Sequence, residues 1–103
     1  MKTYFGKQSE NIDIFVKENG KIRKLTHIVR HSPTGFQFGY GGSGPADTAL
    51  SILTDCIGRD VANAFYQKFK FEFVAGWKDS FEITAKEIRD WLKPELSERN
   101  CNE

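Results

Sequence analysis

The glycine-rich segment Gly41-Gly-Ser-Gly-Pro45 holds the residues that are best placed to bind a ligand. It leads directly into an apolar pattern of helical spacing, so its backbone N–H groups would lie at a helix N-terminus. Such groups bind phosphates and other anions, aided by the helix dipole and here by the Ser43 hydroxyl. The sequence therefore predicts a candidate anion or nucleotide site formed by Gly41, Gly42, Ser43 and Gly44, with Arg30, His31 and Tyr40 as neighbours.

The alternative interpretation of the same glycines, and the favoured one, is a tight turn packed under aromatic side chains. The segment matches neither Gly-x-Gly-x-x-Gly nor a P-loop, and no lysine follows it. Asp47 falls in the first turn of the predicted helix, where its charge already satisfies the dipole and repels an anion. The residues alone leave both interpretations open.

Catalytic and metal sites find little support in the sequence. Ser43, His31 and Asp47 can be drawn as a hydrolytic triad, but the Gly-x-Ser-x-Gly elbow is missing. His27 and His31 are four residues apart in a predicted strand and loop, without the further ligands that zinc requires. We therefore expect a protein that is not an enzyme and has no catalytic residue, metal or cofactor, with His27 satisfied in or beside the core.

The composition indicates one globular domain. The 103 residues are 39% hydrophobic and include nine phenylalanines, while 28% are charged. No apolar run approaches the roughly 20 residues that span a bilayer, and no signal peptide is recognisable. Cys56 and Cys101 lack ligand spacing and are interpreted as free thiols in a reducing cytoplasm. We expect a single domain over residues 1–94 and a flexible polar tail over 95–103.

The charges are unevenly distributed. Residues 1–40 contain seven Lys or Arg against three Asp or Glu, and residues 41–103 contain eight against eleven. A sheet carrying Tyr4, Phe15 and Tyr40 beside Lys21, Arg23 and Lys24 would offer a surface for single-stranded nucleic acid. Most aromatic residues are needed for the core, however, so a nucleic acid is the less favoured partner.

A β-hairpin is predicted over residues 12–29. Residues 12–17 alternate apolar and polar side chains, and Asn19-Gly20 then favours a two-residue turn. Such a turn would place three pairs opposite one another: Val16 with Arg23, Ile14 with Leu25 and Ile12 with His27. The apolar face would then carry Ile12, Ile14, Val16, Leu25, His27 and Val29. Further strands are predicted at Tyr4-Phe5, near residues 35–40 after a turn at 32–34, and at the sheet edge within 78–83.

Three helices are predicted, over residues 45–57, 60–75 and 85–93. Pro45 suits the first turn of the first helix, Gly58 suits its C-cap, and Asp60 can cap the second helix. The second helix is supported by apolar residues at steps of four between 61 and 73.

The third helix begins with the capping box Thr84-Ala-Lys-Glu87, and Pro94 is expected to end it. Because the strands and helices do not alternate, the fold class is α+β: a small antiparallel sheet packed against about three helices.

Several motifs resemble a small domain family of bacteria, phages and mobile elements that is catalogued as a domain of unknown function. They are Pro33-Thr-Gly-Phe36, Gly39-Tyr-Gly-Gly-Ser-Gly-Pro-Ala46, Tyr66-Gln-x-Phe-Lys70, Phe73-Val-Ala75 and Ile88-x-x-Trp91. The resemblance spans roughly residues 4 to 92 and implies a shared fold in a small stand-alone protein. It brings no established activity and no catalytic residue.

The expected function is therefore that of a small non-enzymatic interaction protein, an accessory factor of a phage or mobile element. The leading concrete expectation is an inhibitor of a host protein, including a defence protein, with self-association as another option. The alternative is a binder of a nucleotide or other phosphorylated small molecule at the glycine-rich loop. No membrane partner is expected.

Overall fold

The computed structural model describes residues 1–30 and 35–101, with side chains of the last helix described as far as residue 95. The strands and helices are β1 (Lys2–Lys7), β2 (Ile14–Glu18), β3 (Lys21–Lys24), α1 (Ser43–Ile57), α2 (Arg59–Glu72), β4 (Ser80–Thr84) and α3 (Ala85–Cys101). The strands form one antiparallel sheet in the order β3-β2-β1-β4. The predicted α+β class is confirmed. The turn predicted at 32–34 and residues 102–103 lie outside the described part of the chain.

The hairpin between β2 and β3 has the predicted turn and register. Asn19 and Gly20 have φ values of 53° and 79°, as a two-residue turn of this kind requires. Val16 lies opposite Arg23, and the Leu25 N–H donates to the carbonyl oxygen of Ile14 at 2.7 Å. The confirmed hairpin is thus shorter than the predicted 12–29.

The prediction was wrong beyond Lys24, where the chain leaves the sheet. Ile12 pairs with Phe36 in an isolated bridge instead of lying opposite His27, and Val29 is 58% exposed. The strand predicted near residues 35–40 is reduced to that single bridge. The physical reason is a set of polar side chains on α1 that bind the backbone of this segment, as described below.

Strand β1 lies in the interior of the sheet, because β2 pairs with one of its edges and β4 with the other. Tyr4 is opposite both Val16 and Ile83, and all three side chains are buried. The strand predicted at Tyr4-Phe5 and the edge strand predicted within 78–83 are therefore confirmed.

The first two helices meet at Gly58, which ends α1 and caps α2 with φ of 93°. The prediction that Asp60 caps α2 was wrong, because the helix begins one residue earlier and Asp60 lies in its first turn. The helix ends at Glu72, and a 3-10 turn at Val74–Gly76 follows. Helix α1 begins two residues before the predicted start and is buried at every residue from 44 to 53. It is the central helix of the domain.

Helix α3 begins with the predicted capping box. The Glu87 N–H donates to Thr84 Oγ1 at 3.1 Å, and the Thr84 N–H donates to Glu87 Oε1 at 3.2 Å. The predicted end at Pro94 was wrong, because the helix continues to Cys101. An ion pair between Lys68 and Glu95 joins α2 to the turn after the proline, which helps to offset the backbone hydrogen bond that proline cannot donate.

The core lies between the sheet and the helices and is rich in aromatic contacts. Trp77 stacks on Phe81 with ring centroids 3.9 Å apart, and Trp91 makes an edge contact with Phe69. Cys56 is a buried free thiol, and burial raises its pKa. Within residues 1–30 and 35–101, no helix has the length and apolar character needed to cross a membrane.

Candidate functional site

Gly39 precedes the predicted site, and its backbone geometry requires a glycine. Its φ is 95°, and its N–H donates to the Val74 carbonyl oxygen at 3.0 Å. A Cβ at this position would lie 2.9 Å from the Trp77 carbonyl oxygen. Gln8 holds the preceding residue, since its Nε2 donates to the carbonyl oxygen of Phe38 at 3.0 Å. The loop is therefore fixed against the 3-10 turn that follows α2.

The next glycines accommodate two polar side chains that lie on the loop. The Tyr40 ring covers Gly42, where a Cβ would collide with it, and Gln37 contacts Gly44 so closely that a Cβ there would lie 2.7 Å from the Gln37 Cβ. The Tyr40 hydroxyl donates to the Gln37 side-chain oxygen. Packing of this kind explains why residues 42 and 44 are glycine.

The N-terminus of α1 has no side-chain cap, because Gly42 occupies the capping position. Ser43 is exposed as the first residue of the helix, and Gly41 is exposed beside it. These are the features on which the anion prediction rests, and the interpretation of Gly41, Gly42, Ser43 and Gly44 as an anion site stays a prediction.

The cation predicted beside the loop is engaged elsewhere. Arg30 donates through Nη1 to Asn63 Oδ1 at 2.8 Å, and its guanidinium lies over the Tyr66 ring. The loop instead meets α2 at Phe71, whose ring would be 3.5 Å from a Cβ on Gly41. Asn63 and Phe71 are eight residues apart in one helix, which is roughly 12 Å at the usual helical rise. The described side chains thus do not bring the Arg30 charge to the loop, and His31 lies outside the described residues.

The polar residues of α1 were missed as a group by the sequence analysis. Asp47 is fully buried and accepts the Arg30 N–H at 3.2 Å, while its Oδ2 lies 3.3 Å from His27 Nε2. Ser51 Oγ accepts the N–H of Ile28 at 2.8 Å. These side chains bind the backbone of residues 27–30, and this is why the chain leaves the sheet after β3.

Thr48 likewise binds the backbone of the segment that precedes the glycine-rich loop, at Gln37. Its Oγ1 accepts the Gln37 N–H at 3.0 Å and donates to the Gln37 carbonyl oxygen at 2.7 Å. Three polar residues within five positions of a largely apolar helix segment were the signal available in the sequence, because buried polar groups need partners.

The triad drawn from Ser43, His31 and Asp47 gains no support from this geometry. Asp47 is fully buried with the Arg30 N–H and His27 as partners, whereas Ser43 is exposed. Among the described residues, no three His, Cys, Asp or Glu side chains form a group that could hold a metal ion.

A second polar cluster joins the sheet to the C-terminal half of α1 at Asp55. Arg23 donates to Oδ1 and the Tyr4 hydroxyl donates to Oδ2, each at 2.8 Å, and Lys2 Nζ lies 3.4 Å from Oδ2. Burial by itself raises the pKa of Asp55, but the Arg23 and Tyr4 hydrogen bonds and the Lys2 charge outweigh it. The pKa of this carboxyl therefore lies below its usual value, and burial with the Asp55 contact raises the pKa of Tyr4.

This lowered pKa predicts a loss of stability in acid. A carboxylate whose pKa is lower in the folded state stabilises fully above its unfolded pKa of about 3.9, and the contribution disappears as the pH falls through the folded pKa. We expect Asp55→Asn to reduce the free energy of unfolding at neutral pH and to flatten its decrease below about pH 4. Urea unfolding at a series of pH values measures this, with Asp79→Asn as control because Asp79 is exposed. An unchanged pH profile in Asp55→Asn would contradict the assignment.

An exposed aromatic patch lies where the glycine-rich loop meets α2. We call Tyr40, Gly41 and Phe71 the loop patch; the two rings are 49% and 66% exposed, and the Phe71 ring would be 3.5 Å from a Cβ on Gly41. Lys70 is 6% exposed, and its ammonium group stands 4.1 Å from the centre of the Phe71 ring. A cation at this distance from an aromatic face is attracted to it, which fixes the orientation of the ring.

The model of a family described as "Family of unknown function (DUF6166)" matches residues 4–94, which is most of the chain. The chain belongs to DUF6166. No curated protein and no solved structure matches it. The membership agrees with the resemblance seen in the sequence and brings no activity with it.

In this DUF6166 protein, the residues predicted to form a nucleic-acid surface lie in different places. Tyr4 is completely buried with its hydroxyl on Asp55, and Arg23 is bound to the same carboxylate. Phe15 lies on the opposite face of the sheet, and Tyr40 belongs to the loop patch. The predicted set of residues is therefore not assembled on one surface.

Proposed function

We propose that this protein is a non-enzymatic binding protein that docks onto another protein through the loop patch. The observation that supports the proposal is the exposure of two large aromatic side chains at this loop: Tyr40, which precedes Gly41 in the chain, and Phe71, whose ring lies close to Gly41. Adjacent exposed aromatic residues are typical of interaction surfaces, because their burial on binding recovers a large apolar area.

The loop patch is also prepared for binding before a partner arrives. Lys70 is nearly buried and stands over Phe71, while Tyr40 is held by its hydrogen bond to Gln37. Side chains that are already ordered lose little conformational entropy on binding. The partner that fits is a protein that presents an apolar side chain to the two rings.

We further propose that the protein acts as an accessory factor of a phage or mobile element. The resemblance to a family of bacteria, phages and mobile elements supports an accessory factor of such an element, and an inhibitor of a host defence protein is the leading form. The place of action is then the cytoplasm of the bacterial cell, which is the host cytoplasm if a phage encodes the protein. A second copy of the chain is the other partner that the loop patch could accept.

Affinity capture from a bacterial lysate with matched variants tests the proposal. We expect Phe71→Ser to weaken capture of a specific host protein at least about fivefold, because aromatic anchors dominate binding energy. Val29→Ser is the control, since Val29 is 58% exposed but lies outside the loop patch. Capture that is equally strong for the two variants would contradict the docking site. Light scattering of the pure protein would reveal self-association, and a captured enzyme would be assayed for inhibition.

The alternative function, binding of a nucleotide or phosphorylated ligand, keeps one observation in its favour. The first turn of α1 has no side-chain cap, so an anion could accept hydrogen bonds from its backbone N–H groups. A thermal-shift screen of nucleotides decides this, because a ligand at 100 times its Kd stabilises by about 2.7 kcal/mol. A flat screen would leave Gly41, Gly42, Ser43 and Gly44 with a structural role only.

A further inference from the structure

Within the part of the chain that the structure describes, one face of the sheet is not covered by a helix. Side chains alternate along each strand, so that Tyr4, Ile14 and Val16 are buried against the helices while their neighbours point away from them. The described side chains on the uncovered side form what we call the open face: Thr3, Phe5, Lys7, Asp13, Phe15, Lys17, Ile22, Lys24, Ser80, Glu82 and Thr84. Neither Phe5 nor Phe15 belongs to the core or packs against it.

The strand register brings the two phenylalanines together on the interior strands. Phe5 of β1 lies directly opposite Phe15 of β2, and the ring centroids are 5.6 Å apart at an interplanar angle of 28°. The same row continues to Lys24 on β3 and to Glu82 on β4. A row across the whole sheet thus has an aromatic pair at its centre, a cation at one end and an acid at the other.

Two more cations stand at the two ends of this aromatic pair. Lys7 and Lys17 each follow a phenylalanine by two residues, which is roughly 7 Å along a strand. Because β1 and β2 are antiparallel, the two lysines lie on opposite sides of the pair. Neither forms an ion pair with another described residue. Lys24 pairs with Asp13 at 3.7 Å, but both side chains are mostly exposed, so this contact is weak.

We infer that the open face binds single-stranded nucleic acid. Aromatic side chains on a sheet stack with unpaired bases of any sequence, and lysines beside them neutralise the flanking phosphates. A depression of about 470 Å³ beside the pair, lined by Phe5, Lys7, Phe15 and Glu82 among others, gives a base room to enter. Glu82 at the β4 end repels phosphates, so the nucleic-acid strand should cross β1 and β2 towards Lys24. This surface is distinct from the loop patch, so the inference does not depend on the proposed function.

Fluorescence anisotropy with a labelled oligothymidylate tests the inference, with an oligouridylate of equal length to distinguish DNA from RNA. We expect Phe5→Ala and Phe15→Ala each to weaken binding at least about fivefold while leaving its salt dependence unchanged. Lys7→Gln and Lys17→Gln should each reduce the slope of log affinity against log salt by about 0.7, the value for one lost phosphate contact on a single strand.

Two variants outside the open face and the loop patch serve as controls, Val29→Ala for the phenylalanines, because Val29 is 58% exposed, and Lys86→Gln for the lysines. Phe5→Leu and Phe15→Leu keep the apolar volume and should weaken binding as alanine does, which separates stacking from a loss of folding. Three results would each overturn the inference: no binding at low salt, equal binding by the phenylalanine variants, or equally effective competition by polyglutamate. The last would indicate an acidic protein partner.

Discussion

Replacing Asp47 by alanine is expected to lower the free energy of unfolding by about 2–4 kcal/mol, through loss of a buried charged hydrogen-bond acceptor. The side chain is fully buried, and it receives the Arg30 N–H at 3.2 Å and lies 3.3 Å from His27. Removing it leaves these groups without this acceptor. For a domain of this size, the thermal midpoint should fall by more than about 10 °C.

Two further variants make this result interpretable. Asp47→Asn keeps an oxygen that can accept the Arg30 N–H but loses the charge, so its cost should be clearly smaller. Asp79→Ala removes an exposed carboxylate and should stay within about 0.5 kcal/mol of the wild type. If Asp47→Ala were as stable as Asp79→Ala in urea unfolding, Asp47 would not hold residues 27–30 in place.

The second large effect is expected for Gly39→Ala. Its φ of 95° is unfavourable for a residue with a side chain, which costs about 1–3 kcal/mol. In addition, the new Cβ would lie 2.9 Å from the Trp77 carbonyl oxygen, and a backbone atom cannot rotate away as a flexible side chain can. We expect a total loss of more than about 2 kcal/mol in the free energy of unfolding, measured with urea.

Gly20 supplies the matched control for this variant. Its φ of 79° carries a similar backbone preference, but a Cβ there would meet nothing within 4 Å. Gly20→Ala therefore measures the backbone strain, and the difference between the two variants measures the contact with Trp77. If the two variants lost the same free energy of unfolding, the contact between a Cβ at residue 39 and the Trp77 carbonyl oxygen would have no measurable cost.

The parts of the fold that could be predicted from the sequence are those determined by local interactions. The Asn19-Gly20 turn sets the register of β2 and β3, and the Thr84 and Glu87 side chains cap α3 by reciprocal hydrogen bonds. Each signal acts within a few residues, so it can be recognised without knowledge of the tertiary structure.

The errors arose where distant residues decide the conformation. Residues 27–30 alternate no differently from a strand, yet Asp47 and Ser51 bind their backbone to α1. Pro94 predicts a helix end, yet α3 continues and Glu95 pairs with Lys68 of α2. The partners lie 17 or more residues away in each case. The open face was missed for a related reason, because Phe5 and Phe15 become neighbours only when β1 pairs with β2.

The interior position of β1 determines the order in which the domain can be completed on the ribosome. Residues 2–7 are synthesised before β2 and pair with it soon afterwards, but their other edge pairs with β4, at residues 80–84. Until that strand leaves the exit tunnel, β1 keeps a row of unpaired N–H and carbonyl groups, and such an edge invites pairing with other chains. Nascent chains that stall before residue 80 should therefore be the species most prone to aggregate, and a chaperone that covers a strand edge would protect them.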